Sequence, residues 1–129
     1  MEEIEIKSNS DKKHSEEHFA VDFDGVLAKY DNWEKQGNEV GEPIKPMVKK
    51  VKGWLSKGIK ISIFTARLSH GNLESERQIA LIQKFLKDNG LPETLPITCI
   101  KSYWFTKFFD DRAYRVISNT GVIEGNPTF

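Results

Sequence analysis

From Phe19 onward the chain alternates short apolar runs with stretches whose apolar residues recur at helical spacing, the pattern of βα units around a mostly parallel sheet. Residues 19–23 read as a first strand, buried on both faces up to its acidic end. Pro43 or Pro46 opens a helix whose Met47, Val48, Val51, Trp54 and Leu55 share one face, and Gly58 stops it. Lys45, Lys49, Lys50, Lys52 and Lys57 cover its wet faces. Residues 59–64 form the second strand. A second helix, capped by Asn72, runs from about Leu73 to Lys87 with Ile79, Ile82, Phe85 and Leu86 inward, and Asn89-Gly90 closes it. Residues 97–100, 107–110 and 114–118 complete a set of five strands, the last entering the turn-like Asn119-Thr120-Gly121.

Composition narrows this picture. A chain of 129 residues with 38% hydrophobic and 29% charged residues suits one soluble α/β domain and leaves little room for a second. Residues 1–18 carry six acidic and three basic side chains with few apolar ones, so they read as a flexible charged tail before a domain over 19–129. His14 and His18 in that tail stand at the i, i+4 spacing of a helical metal pair, but a solvated segment makes the ligand reading the weaker one. The formal net charge of zero supplies no global field toward nucleic acid or lipid. Cys99 is the single cysteine, the opening residues are charged, and no apolar run approaches the roughly 20 residues of a membrane span. These features predict a cytoplasmic protein without a membrane partner.

Three predicted strands end in polar residues that suit one site: Asp22 with Asp24, then Thr65, then Asp110-Asp111. In open parallel sheets ligands bind at the carboxyl ends of the strands, where connections diverge to opposite faces. Asp22 and Asp24 project to the same side of an extended backbone, and Gly25 permits a sharp exit. Paired carboxylates repel and are costly to desolvate, so a cation between them is the natural resolution. With Asp110 or Asp111 added, the donor set is hard oxygen, suited to Mg²⁺ with positions left for water and phosphate. The lack of a Cys/His cluster argues against zinc. One carboxylate could then attack a phosphoryl group while the other handles protons. Thr65 and nearby backbone N–H groups would hold phosphoryl oxygens, and Lys101, with Lys107 in reserve, would offset their charge.

The run Phe19-Ala20-Val21-Asp22-Phe23-Asp24-Gly25-Val26-Leu27 resembles the first motif of the haloacid dehalogenase superfamily, an apolar stretch followed by D-x-D-G. Ile61-Ser62-Ile63-Phe64-Thr65, followed by Ala66-Arg67, resembles the second motif of small bacterial and phage members, and Phe108-Phe109-Asp110-Asp111-Arg112 the last. The resemblance covers residues 19 to about 121. It implies a Rossmann-like three-layer sandwich with a five-stranded sheet in the order 5-4-1-2-3. It also implies Asp22 as nucleophile and metal ligand, and Asp24 as general acid and base that lends its carbonyl to the metal. Thr65, Ala66, Arg67 and Lys101 would bind the phosphorylated substrate, and Asp110 with Asp111 would complete a Mg²⁺ site with Asp22 and Asp24. Asp24 marks the phosphatase branch rather than the dehalogenase branch.

Two departures accompany the resemblance. The helix that usually follows the family lysine has no room between Lys101 and Phe108, and no cap domain fits between the motifs. Capless members often take nucleic-acid ends or other extended phosphates, or complete their site by homo-oligomerising, so a nucleotide or a nucleic-acid terminus is the expected substrate. The loop 28–42 is the nearest thing to a lid, and its Tyr30 or Trp33 could stack on a base or pack on the loop itself. Tyr103 and Trp104 pose the same choice, Arg112 and Arg67 could meet phosphate or a carboxylate, and His70 follows the second motif. The main alternative is a non-catalytic phosphate- or metal-binding interaction module of the same fold. A receiver-like signalling domain fits less well, because Asp22 and Asp24 share a strand.

Overall fold

The structure is a computed structural model that describes residues 16–30 and 39–129, with the backbone alone for His70 and Asn72. Strand β1 (His18–Val21) lies at the centre of the sheet, pairing in parallel with β2 (Lys60–Phe64) on one side and β4 (Lys107–Phe109) on the other. β2 pairs in parallel with β3 (Ile97–Thr98), giving the order β3-β2-β1-β4. The chain therefore builds outward from β1 through β2 to β3 and then returns across β1 to β4. That reversal sets the ends of β1 and β4 side by side.

Helix α1 (Lys45–Ser56) joins β1 to β2, with Pro46 in its first turn, where the missing N–H breaks no helical bond. Gly58 follows it at φ 84°, a left-handed conformation that ends helices and favours glycine. Helix α2 (Asn72–Asp88) joins β2 to β3 after a 3₁₀ turn over Ala66–His70. Asn72, expected as the cap, is the first helical residue, and the N-cap is Gly71.

Both helices pack on the same face of the sheet. Phe19, Val21, Ile61 and Ile63 form one core cluster with Val48 and Val51 of α1 and Ile82, Phe85 and Leu86 of α2. Trp54 of α1 meets Phe19 and Phe109 with ring centroids 5.0 and 4.6 Å apart, while Phe85 of α2 meets Phe23 at 4.9 Å. Such ring pairs contribute about 0.5–1.5 kcal/mol each beyond their burial. The opposite face is covered by the short link from β3 to β4, whose Phe105 packs against His18, Phe64 and Phe108. Among the described residues the architecture is thus two-layered rather than the expected three-layer sandwich, because that link is too short to carry a helix.

The expected fifth strand does not join the sheet. Residues 114–118 fold back locally, with a Val116–Ile123 antiparallel bridge and bonds from Ile117 N–H to the Val122 carbonyl and from Glu124 N–H to the Arg115 carbonyl, each 2.8 Å. Asn119 and Gly121 at positive φ make the turn. Closing so short a loop costs less entropy than crossing the sheet, and exposed Tyr114 and Val116 gain no core there. The third strand is also shorter than expected, ending at Thr98. His18, assigned to the tail from sequence, opens β1, and its Nε2 shares a 2.7 Å hydrogen bond with Ser62 Oγ. It is a packed strand residue; residues 1–15, His14 included, lie outside the described residues. Among the described residues no helix is long and apolar enough to cross a membrane.

Candidate metal centre

The acidic residues converge where β1 and β4 end. The Asp22 N–H donates to the carbonyl of Phe109, the last residue of β4, at 2.9 Å, continuing the β1–β4 pairing one residue past β1. Asp22, Asp110 and Asp111 each present a carboxylate oxygen, and these three oxygens lie within 4.8 Å of one another. Asp22 is half-buried and the other two are exposed. The group suits a hard divalent cation: three oxygen donors, open on the solvent side, leave positions for water or a phosphoryl oxygen. Mg²⁺ therefore fits the donor chemistry.

Local backbone geometry makes the convergence possible. The Phe23 carbonyl accepts from Val26, Leu27 and Ala28 N–H groups, and Gly25 N–H donates to the Ala28 carbonyl at 2.7 Å, so the chain turns tightly after Asp22. Gly25 adopts φ 85°, and a Cβ built on it would come within 2.9 Å of Asp111 Cγ. Only glycine both takes this turn and leaves space for the Asp111 carboxylate. Phe23 N–H donates to Asp22 Oδ1 at 2.8 Å, and Arg112 N–H to Asp110 Oδ1 at 2.7 Å, fixing two of the three carboxylates.

The electrostatics reflect the crowding. Burial, and then the neighbouring Asp110 and Asp111, push the Asp22 carboxyl from 3.8 up to about 7, against the Phe23 N–H bond, which favours the charged form.

Asp24 is brought close but is engaged differently. Arg67 Nε donates to Asp24 Oδ2 at 2.7 Å and Nη2 to Oδ1 at 2.8 Å, a bidentate pair. Arg67 is 1% exposed and also donates to Gln78 Oε1 at 2.8 Å and the Glu39 carbonyl at 3.0 Å. Its expected contact with substrate phosphate is therefore replaced by an internal clamp. Thr65 is buried at the end of β2; its N–H donates to the Thr98 carbonyl at 2.9 Å, and its Oγ1 accepts from Arg67 N–H at 3.1 Å. Ala66, beside it, is exposed.

The lysines divide clearly. Lys107 lies in register with Phe19, at the opposite end of the sheet from Asp110, and pairs with Glu17 at 2.9 Å, so it does not serve the acidic cluster. Lys101 is exposed with Nζ 5.3 Å from the Phe108 ring centroid, and among the described residues it makes no ion pair with the acidic cluster. Tyr103 and Trp104 are exposed and line a cavity of about 1010 Å³ with Lys60, Thr106 and Lys107 at the far end of the strands. That cavity holds none of the clustered carboxylates, and Tyr103 and Trp104 line it rather than the acidic end. Trp33 lies outside the described residues, as does the side chain of His70; Tyr30 is 42% exposed.

Gln78 is the site residue that sequence reasoning missed. It stands one helical step before Ile82 on the buried stripe of α2 and is itself fully buried. A polar residue at a core-facing position was the available signal. No protein-family model, curated protein or solved structure matches the chain.

Proposed function

We propose that this chain is a Mg²⁺-dependent phosphomonoester hydrolase of the haloacid dehalogenase type, working through an aspartyl-phosphate. The observation that carries the reading is the meeting of Asp22, Asp110 and Asp111 at the adjoining ends of two parallel strands, with Asp22 half-buried among them. A bound Mg²⁺ would be held by these three carboxylates and would neutralise charge on the phosphoryl oxygens. An Asp22 oxygen attacks phosphorus as the ester P–O bond breaks, and Asp24 gives a proton to the departing oxygen. Asp24 then takes a proton from water as that water attacks phosphorus, the Asp22–phosphorus bond breaks, and inorganic phosphate leaves. The Thr65 hydroxyl and the Ala66 backbone N–H, at the end of the neighbouring strand, would supply donors to the phosphoryl oxygens. Lys101 reaches it by leaving the Phe108 ring.

Nucleotides or nucleic-acid ends are the proposed substrates, since a site without a cap admits extended phosphates. A second reading, a non-catalytic metal- or phosphate-binding module, is favoured by the placement of Lys101 over the Phe108 ring rather than in an ion pair with the acids. Phosphate release from nucleotides, sugar phosphates and 3′- or 5′-phosphorylated oligonucleotides, measured with Mg²⁺ and with chelator, separates the two. The hydrolase reading expects turnover that chelator and Asp22→Asn both abolish. Equal release by wild type and Asp22→Asn would sink it and leave the binding module.

A further inference from the structure

We infer that Arg67 is the positioning residue of this site, fixing the Asp24 carboxylate in the one orientation from which it can exchange a proton with the leaving group. The inference rests on the hydrolase reading and assigns within it a residue whose sequence context suggested substrate binding.

Four guanidinium N–H bonds are committed: two to the Asp24 oxygens, one to Gln78 and one to the Glu39 carbonyl. The Phe23 ring lies beneath, 5.6 Å from Cζ. A planar fork held at both ends and along one face has little freedom to rotate, so it transmits its orientation to the carboxylate it grips. A phosphate could reach a side chain 1% exposed only by displacing Asp24. The Asp24 side chain keeps 17% exposure. A carboxyl group has about four lone-pair positions and the fork occupies two, so one of the remainder can carry the proton that Asp24 gives to the leaving group and later takes back from water. The backbone reinforces the link, because Arg67 N–H bonds Thr65 Oγ1 and so ties the phosphate-side residue and the proton-side residue to one turn. Lysine at position 67 would keep the charge but not the fork.

A merely structural clamp and a positioning residue differ in how they depend on the leaving group. p-Nitrophenolate departs without a proton, whereas the alkoxide of a 5′-nucleotide needs one from Asp24. Steady-state turnover of p-nitrophenyl phosphate and of a 5′-nucleotide is measured for the full chain with saturating Mg²⁺, corrected for folded fraction. The variants are Arg67→Lys, Asp24→Asn and their double mutant. Gln78→Met, which removes the Nη1 acceptor together with the donor to Glu74 Oε2 but leaves both Arg67–Asp24 bonds, covers the case in which Arg67→Lys fails to fold.

Arg67→Lys is expected to lower kcat/KM, which reports departure of the leaving group and not the later hydrolysis common to both substrates, about 30-fold for the nucleotide and less than about threefold for p-nitrophenyl phosphate. Gln78→Met gives the same split at smaller size, and Arg67→Lys adds nothing to Asp24→Asn. Equal losses of kcat/KM on both substrates, or additive losses in the double mutant, overturn the role of Arg67 while Asp22-dependent turnover leaves the hydrolase reading standing. Turnover that Asp22→Asn does not affect overturns both.

Discussion

Replacing Asp22 with Asn removes one charge from the acidic cluster while keeping an oxygen to accept the Phe23 N–H. Carboxylate oxygens at the 4.8 Å limit of this cluster repel by about 3 kcal/mol at an effective dielectric of about 20 and by about 1 kcal/mol with water-like screening. Because Asp110 and Asp111 are exposed, the lower figure applies, and two neighbours give about 2 kcal/mol. The rise of the Asp22 carboxyl from 3.8 to about 7 sets an upper bound of about 4 kcal/mol at about 1.4 kcal/mol per pH unit. Solvent screening of a partly exposed group brings that to about 2 kcal/mol as well.

The sign follows from which state holds the proton. Between about pH 4 and pH 7 the folded chain keeps a proton on Asp22 that the unfolded chain gives up. Stability without metal is therefore greatest below about pH 4 and falls progressively until the pH passes about 7. Urea unfolding in chelator should find wild type and Asp22→Asn equally stable near pH 3, where Asp22 is protonated in both states. Near pH 8 the variant should be more stable by about 2 kcal/mol, roughly 7 °C in Tm for a domain of this size. Excess Mg²⁺ should raise wild type at pH 8 and leave the variant nearly unchanged. If Asp22→Asn is no more stable than wild type near pH 8 in chelator, the carboxylates are not the crowded group described above.

Gly25→Ala places a methyl group against Asp111 in a left-handed turn; it should cost about 1–3 kcal/mol and weaken Mn²⁺ or Mg²⁺ binding at least tenfold in a calorimetric titration. Lys101→Ala should lower kcat/KM for phosphomonoesters by about 10- to 100-fold, whereas Lys107→Ala, at the far end of the sheet, should change it less than about twofold. Similar losses from both would remove the assignment of Lys101.

The sequence carried the parts of the fold in which local pattern and tertiary packing agree. The alternation around Phe19, the amphipathic spacing of Val48, Val51 and Trp54, and the stripe of Ile82, Phe85 and Leu86 all report burial that the structure contains. Residues 114–118 have strand-forming composition, but composition does not say whether a strand pairs with a sheet or with its own turn, and the Asn119–Gly121 turn decided for the latter. Asp22, Asp110 and Asp111 were legible because each stands at or just past a strand end. The fate of Arg67 was not: whether an arginine meets solvent or a carboxylate depends on Gln78 and Glu39, whose nearness only the fold creates.

Backbone bonds close the neck of the 28–42 loop: Lys29 N–H to the Glu42 carbonyl at 2.8 Å, Ile44 N–H to the Leu27 carbonyl at 2.7 Å, and a bridge between Ala28 and Pro43. The neck makes the three carboxylates indifferent to how much chain is carried between Tyr30 and Glu39, whose carbonyl holds Arg67, since loop closure grows only slowly in cost with length. A peptide tag, a fluorescent reporter or a whole recognition domain could be grafted at that port, leaving the three carboxylates in place. Evolution has the same freedom to change what the scaffold recognises without rebuilding it.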